Sequence, residues 1–301
     1  MTVVPRLFGA VEAGGTKFVC AIGGEHGEIF EQERFATTDP AATLAAMHAF
    51  LRHRSPLPGT LAAIGVASFG PLELDRTSPR YGCIGRTPKA GWSDIDIAGS
   101  LAREFRCAVG LDTDVNAAAL AEHRWGAGRN VTNLVYLTVG TGIGGGVLLD
   151  GAPIHGLMHP EIGHVFPRRH PLDRGFSGIC PFHGDCMEGV ASGPAIVART
   201  GVLLHQLDDA HPQWQIEADY LGQLCAQLVV TVSPLRIVLG GGVMSDGRLL
   251  PLIGPRMRHW LGGYIDRREV LHETQRYVVA PELGEHAGVL GALALAIDAA
   301  R

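Results

Sequence analysis

The sequence predicts an α/β protein built of two similar lobes with a cleft between them. An apolar strand runs into a glycine turn and a second strand, helices and strands then alternate, and this order occurs twice. Glycines cluster at 14–15, 140–146 and 240–242, each time at the end of an apolar β-type run. With 301 residues, 46% hydrophobic and 18% charged, the chain has about two domains' worth of length and ample apolar material for a core.

In order, strands are predicted at 7–12, 16–22 and 28–35, about turns at 13–15 and 23–27. Leu44, Met47, Phe50 and Leu51 have helical spacing over 43–52, and a buried strand follows at 61–68. A helix at 97–105 precedes a strand at 108–111 that ends on Asp112-Thr113-Asp114. An alanine-rich helix then runs over 117–125 and stops at Gly126. The order restarts with a strand at 134–139, a turn at 140–146 and a strand at 147–149. Residues 155–188 are irregular, rich in His, Cys, Pro and Gly. A helix at 220–231, a strand at 236–239 leading into glycines 240–242, and a C-terminal helix at 287–300 complete the pattern. The lobes divide as 1–115 and 116–286, with 287–301 packing back on the first.

Charge and composition exclude several classes. Twenty-five basic against thirty acidic residues give a net charge of -5, and no basic run offers an electrostatic footprint for nucleic acid or an anionic membrane. The start of the chain lacks the pattern of a signal peptide, and no apolar run approaches the ~20 residues that span a bilayer. The six cysteines are too sparse for a disulfide framework. The expectation is a cytoplasmic protein with reduced thiols, and no nucleic-acid or membrane partner.

Gly140-Thr141-Gly142-Ile143-Gly144-Gly145 has the spacing G-x-G-x-x-G, but a dinucleotide site requires a helix next, and here a strand follows. Glu12-Ala13-Gly14-Gly15-Thr16-Lys17 is likewise not a P-loop, because it too leads into a strand. Two strand-turn-strand loops remain, each with a threonine near its tip, Thr16 and Thr141. Backbone N–H groups and a hydroxyl in such a turn grip phosphate oxygens. Either loop alone reads equally as an ordinary hairpin; their occurrence at the start of both halves favours phosphate.

Asp114 follows a strand and opens a helix. A helix N-cap explains a lone Asp in that place, but a carboxylate held ionised at a helix N-terminus also serves as a base toward a hydroxyl. Cys180, His183 and Cys186 stand at i, i+3 and i+6 in a loop without periodicity, with His164 upstream. Four such ligands make a closed tetrahedral Zn²⁺ site, structural because no position is left for water. His155, His159 and His170 compete for the fourth place.

The segments Glu12–Lys17, Asp112-Thr-Asp-Val-Asn-Ala-Ala-Ala-Leu120, 140–146 and Glu161-Ile-Gly-His164 stand in the order seen in the ROK family of sugar kinases and related repressors. The resemblance covers essentially the whole chain. It implies the actin/hexokinase-like (ribonuclease H-like) ATPase fold and ATP-dependent phosphorylation of a hexose. By resemblance, Gly14, Gly15, Thr16, Lys17, Gly140, Thr141 and Gly142 bracket the ATP phosphates, and Gly240, Gly241 and Gly242 lie near the adenosine. Asp114 is the base, while Asn116, Glu161, His164 and Glu188 contact the hexose. Zinc is held by His164, Cys180, His183 and Cys186. The C-x-x-H-x-x-C form is similar to that of the family's zinc-containing bacterial fructokinases, so fructose is the expected sugar.

Glucose, mannose or an N-acetylhexosamine is the alternative substrate, although Thr113 departs from the asparagine common before the base in glucokinase-like members. Mg²⁺ is expected with ATP, and Glu12 stands where most of the family has Asp. The stretch 68–92 resembles the loop that closes over the sugar. In its 87–92 segment Lys89 reads as a surface lysine, though it is the one cation there able to meet a transferred phosphate, and Trp92 reads as a packing residue. A sugar-sensing repressor is the rival from another class, but eleven residues before Glu12 are too few for a helix-turn-helix. A silent sugar-binding protein is disfavoured by the intact Asp114 and glycine loops. Family habit implies a homodimer.

Overall fold

A computed structural model of the protein describes residues 6–54, 60–87 and 89–301. The chain forms two compact units: residues 1–125, 153–159 and 283–301 make the first, and 126–152 and 160–282 the second. Residues 1–5 of the predicted first lobe, and Pro88 of the predicted sugar loop, lie outside the described residues.

The first unit is built on β1 (Leu7–Ala13), β2 (Lys17–Gly23), β3 (Ile29–Ala36), α1 (Pro40–Arg54), β4 (Leu61–Ser68), α2 (Ile97–Phe105), β5 (Ala108–Thr113) and α3 (Asp114–Trp125). Its sheet has the order β3-β2-β1-β4-β5. The first three strands form an antiparallel meander, while β4 and β5 add in parallel, pairing Ala13 with Ser68 and Ser68 with Thr113. The parallel strands β1, β4 and β5 therefore end at one edge, where open α/β sheets place their ligands. On one face Phe18, Met47, Leu51, Ile64, Ile97, Leu101 and the fully buried Trp92 close a core. Each such side chain contributes about 1.5–3 kcal/mol when removed from water.

The other face carries the C-terminal helix Ala287–Ala299, packed on α3, β4, β1 and β5. It lies so close that a Cβ on Gly65 would stand 1.8 Å from the Ala292 carbonyl, and one on Gly110 2.3 Å from that of Leu295. Because α3 packs on this helix, it belongs to the first unit, and the division falls after Trp125 rather than at 115.

The second unit repeats the plan with β6 (Leu134–Val139), β7 (Ile143–Leu149), β8 (Ala152–Pro153), α4 (Met187–Ala191), α5 (Gly193–Thr200), α6 (Gln213–Val232), β9 (Arg236–Gly240), α7 (Leu250–Leu261) and β10 (Val278–Val279). The order is β10-β9-β6-β7-β8, with β6 and β7 antiparallel and β9 parallel to both β6 and β10. Each sheet thus has its first strand in the middle, a hairpin partner on one side and two parallel strands on the other. The repeat is topological, deeper than the weak identity between the halves.

One expectation is corrected. The predicted turn at 140–146 is only three residues long, because β7 begins at Ile143 and Gly144, Gly145 and Gly146 pair with Thr138, Leu137 and Tyr136. A Cβ on Gly145 would meet Ile162 Cδ1 at 2.6 Å, so this glycine opens the strand face to the 161–164 turn.

Candidate active site and metal centre

In the first unit, three segments gather at the carboxyl edge of the sheet: the 14–17 turn, the end of β4, and the β5–α3 junction. Their proximity follows from the register, and Phe69 N–H donates to the Ala13 carbonyl at 2.9 Å. The 14–17 turn has its carbonyls occupied. Lys17 O accepts from Gly14 N, Gly14 O from Thr37 Oγ1 and Thr16 O from Thr37 N. Gly15 O accepts from Lys89 Nζ. With its carbonyls engaged, the turn has no free backbone acceptor to repel an anion. Trp92 is buried as read, donating through Nε1 to Thr38 O at 3.0 Å and packing on Phe18 and Phe69. It anchors the segment that carries Lys89.

Glu12, one residue before the end of β1, lies against the first turn of the C-terminal helix; a Cβ on Gly288 would stand 2.4 Å from its Cδ. Burial pushes its carboxyl above the ordinary range, and Lys17 opposes this only partly.

At the next junction the helix begins at Asp114 rather than Ala117, and Thr113 caps it: its Oγ1 accepts the Asn116 N–H at 3.2 Å, the bond from N-cap to third helical residue. The N-cap is therefore Thr113, and Asp114, the first helical residue, accepts the neighbouring Val115 N–H through Oδ1 at 2.9 Å. Asn116 is fully buried, and its Nδ2 donates to Asp112 Oδ1 at 2.7 Å. Asp112, quoted in the motif but given no role from sequence, is itself buried. It also accepts the Thr113 N–H at 2.7 Å and lies 2.9 Å through Oδ2 from His155 Nε2. That hydrogen bond holds the His155 ring above the ordinary imidazole value.

In the second unit, the glycines at 140–142 and 240–242 come together at the ends of adjacent parallel strands, with Thr138 opposite Gly240. Gly241 has φ 95° and would place a Cβ 2.4 Å from the Val139 carbonyl, a position only glycine fills. Gly193 N–H, at the start of α5, donates to Gly140 O at 2.8 Å. The Glu161–His164 segment is a 3-10 turn seated on β7: a Cβ on Gly163 would fall 1.9 Å from the Ile143 carbonyl. Glu188, in the first turn of α4, accepts the Ile143 N–H through Oε2 at 2.9 Å.

The four predicted metal ligands converge. One donor atom from each of His164, Cys180, His183 and Cys186 lies within 4.8 Å of all the others. His164 Nδ1 is 3.5 Å from Cys186 Sγ and 3.9 Å from Cys180 Sγ, which is 3.7 Å from His183 Nδ1. Tetrahedral bonds of ~2.3 Å to sulfur and ~2.0–2.1 Å to nitrogen set such pairs about 3.5 Å apart, so the donor set fits Zn²⁺. Burial pushes the Cys186 thiol up to about 11, so a bound cation is what would make it a thiolate at neutral pH.

The three competing histidines are engaged elsewhere. His155 is on Asp112, His159 Nε2 accepts from Leu72 N at 3.3 Å, and His170 Nδ1 accepts from Leu172 N at 3.2 Å. The loop is further pinned by Asp173, 1% exposed, which receives Arg199, Arg169 and the Tyr220 hydroxyl. Gln223 holds both backbone groups of Arg168.

Comparison with known proteins gives matches over nearly the whole chain. The model of the family described as ROK family matches residues 8–299. A fructokinase of Zymomonas mobilis is 44% identical over 98% of this chain and 97% of its own. One from Streptococcus mutans is 40% identical over 97% of each. Among solved structures, a ROK hexokinase from Thermus thermophilus superposes with a TM-score of 0.77 at 26% identity, covering 97% of this chain and 98% of that one.

Proposed function

The chain belongs to the ROK family, and we propose that it transfers the γ-phosphoryl group of ATP to a hexose, D-fructose, at the 6-hydroxyl. The fold is the actin/hexokinase-like one of the ROK sugar kinases. Asp114 takes the proton of the attacking hydroxyl. Phosphoryl transfer through a loose transition state asks little of its base and depends mainly on positioning and on neutralised charge. The observation that supports this role is that Thr113 takes the N-cap position, which leaves Asp114 as the first helical residue at the carboxyl edge of the sheet.

In this reading the 14–17 and 140–142 turns bind the ATP phosphates through backbone N–H groups, and glycines 240–242 border the adenosine. Lys89, on the carbonyl of Gly15, brings a cation to the tip of the first turn. Asn116, Glu161, His164 and Glu188 meet sugar hydroxyls, carboxylates being strong acceptors for them. Mg²⁺ arrives with ATP and neutralises phosphate charge; Glu12 is the carboxylate beside the first turn that would face it. His164, Cys180, His183 and Cys186 would hold Zn²⁺ as a structural ion that ties down the 161–188 loop.

Family resemblance extends the reading to a cytoplasmic homodimer, which light scattering tests. Among the described residues, no helix is long and apolar enough to cross a membrane. The reaction itself is tested by incubating the purified protein with Mg-ATP and fructose and passing the product to phosphoglucose isomerase. Conversion to glucose 6-phosphate is expected; a fructose phosphate that this enzyme does not accept would overturn the assignment of the 6-hydroxyl.

A further inference from the structure

We propose that His155 and Asp112 form a positioning pair that clamps the strand-to-helix junction bearing the base Asp114. The inference rests on the kinase reading above.

Asp112 is the penultimate residue of β5, buried and close to the start of α3. Its Oδ1 receives both the Thr113 N–H and the Asn116 amide, while Thr113 Oγ1 receives the Asn116 N–H. These three bonds close a ring over residues 112–116 with Asp114 in its middle. The first turn of α3 thus has its backbone direction set by one buried carboxylate. Asn116 has no alternative hold, because its Oδ1 is buried without a partner among the described residues. Its fixed orientation comes from Asp112.

A buried carboxylate that organises two neighbours is stable only when its charge is met. Its remaining oxygen, Oδ2, faces His155, whose side chain is 42% exposed and lies 43 residues further along the chain. His155 therefore reaches in from the 153–159 segment and completes the coordination of Asp112. Two residues before its end, this segment passes from His155 to Leu157, and His159 then accepts the Leu72 N–H just beyond Pro71. The same short segment thus touches Asp112 at the end of β5 and Leu72 in the chain that follows β4. A base must sit within hydrogen-bond reach of its hydroxyl, and a displacement of about 1 Å costs on the order of 10²-fold in rate. Loosening this ring would move Asp114 on that scale.

The test is steady-state kinetics of the full chain with Mg-ATP and fructose, comparing His155→Ala, His155→Gln, Asp112→Asn and Asp114→Asn with the unaltered protein. His155→Ala is expected to lower kcat by about 10–100-fold with KM for fructose changed less than threefold. His155→Gln, which keeps an N–H donor, should restore kcat to within about fivefold of the unaltered protein. In the Asp114→Asn background, His155→Ala should cost less than twofold more, because groups acting as a unit are not additive. Asp112→Asn is the more severe variant, and His155 keeps the question open to test should that one not fold. An unchanged kcat in His155→Ala would overturn the pair, as would an equal loss in both backgrounds. Absence of sugar-dependent turnover in the unaltered protein would overturn the kinase reading and this inference with it.

Discussion

Glu188 Oε2 accepts the Ile143 N–H at 2.9 Å, so the first turn of α4 holds the first residue of β7. The carboxylate proposed for the sugar and the turn proposed for the phosphates are thereby one hydrogen-bonded unit. Gly142 lies under that carboxylate, and a Cβ there would stand 2.5 Å from Oε2. Gly142→Ala is therefore expected to raise KM for both fructose and ATP, by about 10-fold each, at an unchanged melting temperature. Steady-state titration of each substrate checks this. A change in the ATP term alone would break the proposed link.

Lys89 donates to Gly15 at the tip of the first turn. Lys89→Met should lower kcat by about 10–100-fold while leaving KM for fructose within twofold, and Lys89→Arg should recover most of the loss. Equal kcat in the methionine variant would return Lys89 to the role of a surface cation that the sequence alone gives it.

Much of this was legible in the sequence, and the boundary of legibility has physical causes. Strand-turn-strand units show as apolar runs closed by glycine, and Cys180, His183 and Cys186 announce themselves by spacing in a loop with no other periodicity. The glycines at 144–146 read as a turn because a strand glycine looks locally like one that turns the chain; at Gly145 the missing side chain admits Ile162. Helix α7 escaped because Pro251 and Pro255 lie inside it, the first in its opening turn. Asp112 carried no local signal, since His155 stands 43 residues away. Lys89 shares that difficulty, being 74 residues from Gly15.

Removal of the metal is expected to loosen the second unit. Cys186→Ser should abolish stoichiometric zinc, read by plasma mass spectrometry as one ion per chain in the unaltered protein and less than about 0.1 in the variant. The melting temperature should fall by more than about 10 °C, because binding energy at such a site is folding energy. Unaltered protein without metal after zinc is supplied, melting at the same temperature as the variant, would remove zinc from the account.

Glu12 makes a pH-dependent prediction. Burial raises its carboxyl above the ordinary glutamate value of 4.5. Folding therefore favours the protonated form, and stability falls as pH rises from 4.5 toward the folded value, remaining constant above it. Glu12→Gln should accordingly melt higher than the unaltered protein at pH 7.5 and lose that advantage as the pH is lowered through 4.5. Its kcat should fall by about 10-fold at pH 7.5, a loss without any loss of fold. A variant that melts lower at both pH values would show that the carboxylate is a stabilising group.

The central claim is that Asp114 is the base of a fructose kinase. It is tested by ADP release from the purified protein with Mg-ATP across fructose, glucose, mannose and N-acetylmannosamine, with Asp114→Asn alongside. The account predicts turnover highest on fructose, lowered by about 10²–10⁴-fold in Asp114→Asn at an unchanged melting temperature. Turnover highest on another of these sugars would contradict the fructose assignment, and full activity in Asp114→Asn would contradict the base.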